Sequence, residues 1–257
     1  MTLNHLDTIS IKIENLHKAF GNKKVLSGVY LDIKRGESIA VIGASGTGKS
    51  VLIKHIIGLL KPDTGKILVD GINVATLDQA QLNEFRSRFG MLFQGGALFD
   101  SLTVFENVAF PLRNRTKMNE SAIKKRVMDL LEMTEMQDWG DKWPSELSGG
   151  MKKRVGLSRA LAINPSIMLY DEPTTGLDPV MGGIIDRLIV KTRDHFNVTS
   201  ITITHDMRSA SRIANRIAML YKGKVIQAGT PEEIMNSSLP EVREFVRNRA
   251  SIMDLEH

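Results

Sequence analysis

The 257-residue sequence contains no cysteine, which excludes disulfides and agrees with a reducing compartment. It also lacks any apolar run near the roughly 20 residues that cross a bilayer as a helix. The opening MTLNHLDT has neither a basic region nor an apolar core, so no signal peptide is expected. No heptad run supports a long coiled coil, and neither sign of charge dominates. Lys and Arg number 34 against 29 Asp and Glu, a net charge of +5. An excess this small is accounted for by nucleotide sites or an anionic membrane surface, and no nucleic-acid partner is expected. What remains is ordinary globular material, 42% hydrophobic, long enough for one large domain or one domain with an inserted lobe.

Three motifs carry chemistry. The first is GASGTGKS at 43–50. Gly43, Gly46 and Gly48 permit a loop whose amides point inward, a concave anion nest at a helix start. Lys49 can then reach terminal phosphates, and Ser50 offers a hydroxyl to Mg²⁺. The context agrees: Ser38–Ile42 reads as a buried strand entering the loop. Ser50 to Leu60 reads as the helix leaving it, with Leu52, Ile53, Ile56, Ile57 and Leu60 at helical spacing.

The second motif is the apolar run Ile167-Met168-Leu169-Tyr170 ending in Asp171-Glu172. Alone, paired acids read as a solvated loop. At the carboxyl end of a buried parallel strand they stand where open α/β sheets bind ligands. Asp171 then holds Mg²⁺, through water, as the acidic partner of Ser50. The third motif, Leu147-Ser148-Gly149-Gly150-Met151, opens a helix through Val155, Leu157, Ala160 and Leu161. Ser148 is a favoured cap, and the following amides present positive potential.

The remaining pattern gives the organisation. Ile9–Leu16, Val29–Ile33 and Lys66–Val69 read as half-exposed strands of an antiparallel layer. From about Gly95 to Gly149 the pattern turns helical, with an apolar stripe of Ile123, Val127, Leu130 and Leu131 after an Asn119 cap. Strands are expected at 90–93, 167–170 and 200–204, and a hairpin at 217–228. A tail from Pro231 should pack through Ile234, Val242, Phe245 and Val246. His55 is expected to pack on the loop helix, whereas His5, His17, His195 and His257 are expected to be exposed.

In this order and in a chain this short, the three motifs resemble the ATP-binding-cassette (ABC) ATPases, which place an LSGG turn between two nucleotide motifs. The resemblance implies an α/β fold: a phosphate-loop NTPase with a RecA-like parallel-sheet core, a small antiparallel β layer and an inserted helical lobe. The boundaries expected are 1–94 and 158–230 for the core, 95–157 for the lobe and 231–257 for the tail, all one ABC domain. It further implies ATP and Mg²⁺ as ligands. Gly43, Ser45, Gly46, Gly48, Lys49, Ser50 and Val51 would take the phosphates, and Phe20 would stack on adenine. Ser50, Gln94 and Asp171 would serve the metal. Glu172 would be the base that orients water, assisted by Gln94 and by His205 at the γ-phosphate. Ser148, Gly149 and Gly150 would complete the site of a second copy, so a head-to-tail homodimer is expected, and Asp178 would also belong to the nucleotide-binding set. Met151 departs from the family's usual Gln. The phosphate contact belongs to the amides and Ser148, so binding should survive the change.

The stretch Gln94–Val108, QGGALFDSLTVFENV, together with Met151, Val51 and the tail Val242–Val246, is similar to the MlaF/Mkl-type ATPases of phospholipid transport systems built around mammalian-cell-entry (MCE) carriers. This implies a peripheral subunit on the cytoplasmic face of the inner membrane, with permease subunits, an MCE-domain carrier and an accessory subunit as partners. Two alternatives stay open: the ATPase of a small-solute, amino-acid type importer, and a regulatory cassette linked to cell division. Ribosome- or DNA-acting cassettes fit poorly with one cassette and no coiled coil.

Overall fold

The alternation from Ile9 forms β1 (Ile9–Phe20), which pairs antiparallel with β2 (Lys23–Lys34). A computed structural model describes residues 8–251. The chain continues through β3 (Ser38–Ile42), α1 (Lys49–Ile56), β4 (Thr64–Val69), β5 (Ile72–Asn73) and α2 (Gln79–Phe85). Next come β6 (Phe89–Leu92), α3 (Val104–Arg115), α4 (Glu120–Met133), α5 (Gly149–Leu161), β7 (Ile167–Asp171) and α6 (Pro179–Phe196). It closes with β8 (Thr199–Thr204), α7 (Met207–Ile213), β9 (Arg216–Tyr221), β10 (Lys224–Gly229), α8 (Pro231–Met235) and α9 (Pro240–Ser251). Contacts divide this series into two units, Ser87–Val198 and the segments on either side of it. This is the α/β class expected, with parallel strands, an antiparallel layer and helices between the motifs.

The first unit holds both the antiparallel layer β2-β1-β4-β5 and the run β10-β9-β3-β8. Strand β3 is buried along its whole length, as a parallel strand covered on both faces must be. Its one polar residue is satisfied: the Ser38 hydroxyl donates to the Ile213 carbonyl at 2.6 Å and accepts from Ser200 Oγ at 2.8 Å. The tail packs through Ile234 and Val242, both fully buried.

The second unit pairs β6 with β7 in parallel and packs α3, α4 and α5 together. The stripe Ile123, Val127, Leu130 and Leu131 is buried as expected, and Asn119 Oδ1 accepts from the Ala122 amide at 2.9 Å as the cap. The interhelical polar pair Thr134 Oγ1 and Ser158 Oγ, 2.7 Å apart, is fully buried. Helix α5 approaches β6 closely, since a Cβ on Gly90 would lie 2.4 Å from the Ala160 carbonyl.

Some boundaries differ from expectation. The helix after the phosphate loop stops at Ile56, not Leu60. Gly58 turns left-handed and the Leu59 amide returns to the Lys54 carbonyl at 2.8 Å, a glycine-closed helix end. The helical pattern begins at Val104 rather than Gly95, because Thr103 and Glu106 form a capping box there. Helix α2 was not foreseen, although Asp78 and Gln81 form the same device. His17 is half-buried, against Asn15, rather than exposed, and His195 is exposed. His5 and His257 lie outside the described residues.

His55 is fully buried on α1 with Nδ1 2.7 Å from the Val51 carbonyl. Burial lowers its pKa from the ordinary value, against a smaller upward pull from that carbonyl. The unfolded chain therefore takes up this proton first, and stability should fall as pH drops below about 6.5. Melting curves between about pH 7.5 and about pH 5.5 should show a smaller loss for His55→Gln than for the wild type. An equal loss in both would place the acid sensitivity elsewhere.

Candidate functional site

The phosphate-type loop leaves β3 at Ile42, and its glycines serve different purposes. Gly43 has φ +154°, and a Cβ there would lie 2.4 Å from the Leu220 carbonyl of β9. Gly48, at φ +103°, sits against Leu26 and Val25 of β2, with a Cβ-to-Leu26 Cδ2 distance of 2.9 Å. Gly46 is left-handed but faces open space. Lys49 is buried, and Nζ donates to the carbonyls of Gly43 at 2.8 Å and Ala44 at 3.1 Å, laying the ammonium over the loop. Ser45 and Ser50 are exposed and Val51 half-buried on α1.

Helix caps test whether this loop fits an anion. Side chains cap α2 to α8 in turn: Asp78, Thr103, Asn119, Ser148, Asp178, Asp206 and Thr230. Helix α1 begins at Gly48 with no side-chain cap. This helix start therefore stands beside an ammonium and a hydroxyl without a side-chain cap across it, and amides, ammonium and hydroxyl are the donor types a Mg²⁺-bound polyphosphate requires. No cluster of three or more His, Asp or Glu occurs among the described residues.

His205 belongs to the same edge. Strands β3 and β8 pair with Ile42 opposite Thr204, so the loop and His205 leave neighbouring strand ends. Asp206 caps α7 directly after it, accepting from Arg208 N at 2.8 Å. Phe20, at the end of β1, is 48% exposed rather than part of a core, with Lys18 Nζ 5.6 Å from the ring centroid. An open aromatic face suits stacking on a base.

In the second unit, β6 and β7 align Leu92 with Tyr170, and this brings Gln94 and the pair Asp171-Glu172 to adjacent strand ends. Tyr170 is wholly buried and burial pushes its phenol pKa up. Glu172 adopts a left-handed φ of +50°, sparsely populated for a non-glycine residue. Its Oε2 accepts from Thr175 Oγ1 at 3.0 Å, and its carbonyl accepts from the Thr175 amide at 3.2 Å.

Ser148 caps α5, accepting from the Met151 amide at 3.3 Å. Gly149 is exposed, and Gly150 is buried, where a Cβ would lie 2.7 Å from Met181 Cε of α6. Asp178 accepts from the amides of Val180 and Met181, each at 3.0 Å, so it caps α6 whatever else it does.

Sequence reading missed Lys153. It is buried, and Nζ donates to the carbonyls of Pro173 and Thr175, each at 2.7 Å. Burial draws its pKa down to about 8, with Glu172 pulling it back up. The available signal was periodicity, since Lys153 lies three, four and seven residues before Gly156, Leu157 and Ala160 on the buried face of α5.

A family model described as "ABC transporter" matches residues 26–175. The "Probable ribonucleotide transport ATP-binding protein mkl" of Mycobacterium leprae is 41% identical over 94% of this chain and 70% of its own length. The "Methionine import ATP-binding protein MetN" of Carboxydothermus hydrogenoformans is 42% identical over 92% of this chain and 71% of its own. The "Intermembrane phospholipid transport system ATP-binding protein MlaF" of Haemophilus influenzae is 39% identical, covering 93% and 91%. Among solved structures, the dimeric post-hydrolysis state of the ATP-binding cassette MJ0796 with ADP and Pi superposes with a TM-score of 0.79. It is 35% identical over 86% of this chain and 98% of its own.

The glycines separate two kinds of damage. Gly43→Ala forces a Cβ onto backbone and should cost about 2 kcal/mol or more and abolish binding of a fluorescent ATP analogue. Gly46→Ala meets only left-handed backbone strain, about 1 kcal/mol. Denaturant melts and titrations of the two variants should show that order, and equal effects would refute it.

Proposed function

The chain belongs to the ABC transporter family, and from that membership we propose that it powers movement of phospholipid between a membrane permease and an MCE-domain carrier. It hydrolyses ATP as a subunit of a transporter. The observation that carries the lipid reading is the stretch Gln94–Val108, whose likeness to MlaF/Mkl-type ATPases agrees with the relative MlaF, named for phospholipid transport, whereas the relative mkl is named for ribonucleotide transport. The relative MetN supports a second reading, import of a small solute. The two share their ATP chemistry and differ in the membrane partner.

In this reading the loop Gly43–Ser50 and Val51 hold the phosphates of ATP, with Lys49 leaving its loop carbonyls for the terminal oxygens, and Phe20 stacks on adenine. Ser50, Gln94 and Asp171 hold Mg²⁺, whose bound charge offsets that of the β- and γ-phosphates. Glu172 accepts a proton from attacking water, Gln94 orients that water, and His205 donates to the γ-phosphate. Catalysis is mainly positioning and charge stabilisation. Ser148, Gly149 and Gly150 contribute to the site of a second copy, in a head-to-tail homodimer at the cytoplasmic face of the membrane, and Asp178 belongs to the nucleotide-binding set. We assign 95–157 to the helical lobe, 1–94 and 158–230 to the core and 231–257 to the tail. The lobe receives the permease, and an accessory subunit joins the assembly.

Phe99 supports the assignment of the lobe. It is 44% exposed and packs on exposed Phe110 with ring centroids 4.8 Å apart, with Arg159 5.7 Å above it. Buried Asn107 fixes its backbone, accepting from the Phe99 amide at 2.8 Å and donating to the carbonyls of Phe99, Leu102 and Thr103 at 3.0–3.1 Å.

Two experiments test this function. Glu172→Gln should bind ATP normally yet lose about 100-fold or more in turnover, since the amide cannot take water's proton. Turnover near wild type would remove Glu172 from this role. Complexes captured through the native chain should contain a permease and an MCE-domain protein, and Phe99→Ala should lose the permease without lowering the melting temperature. A captured solute-binding protein would favour the importer reading. A large drop in melting temperature with the permease retained would make Phe99 a packing residue.

A further inference from the structure

Glu172 stands in a turn whose shape is held from outside. The turn closes on itself through Thr175, whose amide and hydroxyl both reach Glu172, at 3.2 Å to the carbonyl and 3.0 Å to Oε2. The left-handed backbone of Glu172 needs surroundings that over-determine it. Lys153 supplies them. Its Nζ spans two carbonyls of that turn, Pro173 and Thr175, each at 2.7 Å.

An ammonium that is 3% exposed is costly, and the hydrophobic alternative was open, since its neighbours on that face of α5 are Gly156 and Leu157. Among the described residues its hydrogen bonds go to two backbone carbonyls, while Glu172 acts on the charge only through space. The cation is therefore placed to fix backbone. The backbone it fixes at Thr175 carries the hydroxyl that holds the Glu172 carboxylate.

We propose that Lys153 is a positioning residue for ATP hydrolysis, which sets the carboxylate of Glu172 through Thr175. The inference rests on Glu172 as the base. Lys153 does not touch substrate in this scheme; it acts two bonds away, through a carbonyl and then a hydroxyl.

Steady-state ATPase of the full chain tests it, with Lys153→Met, Lys153→Arg, Thr175→Val, the Lys153→Met/Thr175→Val double variant and Glu172→Gln measured together. Lys153→Met and Thr175→Val should each lower kcat about tenfold or more, with the KM for ATP within about twofold of wild type. The double variant should fall no lower than the worse single one within about twofold, because both lesions free the same carboxylate. Lys153→Arg, which can still donate to both carbonyls, should recover most of kcat. Multiplicative effects in the double variant would overturn the proposal, as would unchanged kcat in Lys153→Met or an arginine no better than methionine. If Lys153→Met fails to fold, Lys153→Gln is read in its place against the same limits. An active Lys153→Met beside an inactive Glu172→Gln removes only the positioning role. An active Glu172→Gln removes both readings.

Discussion

Parallel pairing in register is the constraint on which this molecule depends. In the first unit, Ile42 lies opposite Thr204, and the residues that follow are the phosphate loop on one strand and His205 on the other. In the second, Leu92 lies opposite Tyr170, and the residues that follow are Gln94 and the Asp171-Glu172 pair. A slip of one residue in either ladder would turn each buried strand's side chains to the opposite face. It would also stagger the polar groups along the sheet edge. The burial of β3 and of Ile167–Tyr170 on both faces resists that slip.

Close backbone approach is the second constraint, and glycine makes it possible. Gly43 lies against the Leu220 carbonyl, Gly90 against that of Ala160, and Gly156 against that of Gly96. These contacts draw the loop onto β9 and α5 onto the segment around β6 without a side chain between them.

Most of this was legible because the chemistry and the pattern coincide. Apolar runs gave β3 and β7, the alternating Ile and Thr of 200–204 gave β8, and the caps Asn119 and Ser148 gave α4 and α5. The first half of β2 was not legible because Leu26 and Val29 are three apart, and irregular register with left-handed Gly28 breaks the alternation that marks a strand. The end of α1 was overrun because Leu59 and Leu60 continue the apolar count past Gly58, whose backbone turn decides the matter. Lys153 and Asn107 escaped notice for a common reason. Lysine and asparagine on helices read as solvated, and only their fixed partners, all backbone groups, reveal that each is buried to hold a loop.

Asn107 has a thermodynamic consequence beyond its own hydrogen bonds. Four of them lock residues 99–103 to the start of α3, so the aromatic at the head of that segment is held in one backbone conformation before any partner arrives. Ordering a flexible loop on association takes up about 1–2 kcal/mol of conformational entropy per residue. Here that ordering is already complete in the free chain, so more of the contact energy survives as affinity. Association should then proceed as docking of rigid surfaces, with differences between partners appearing mainly in how long they stay bound.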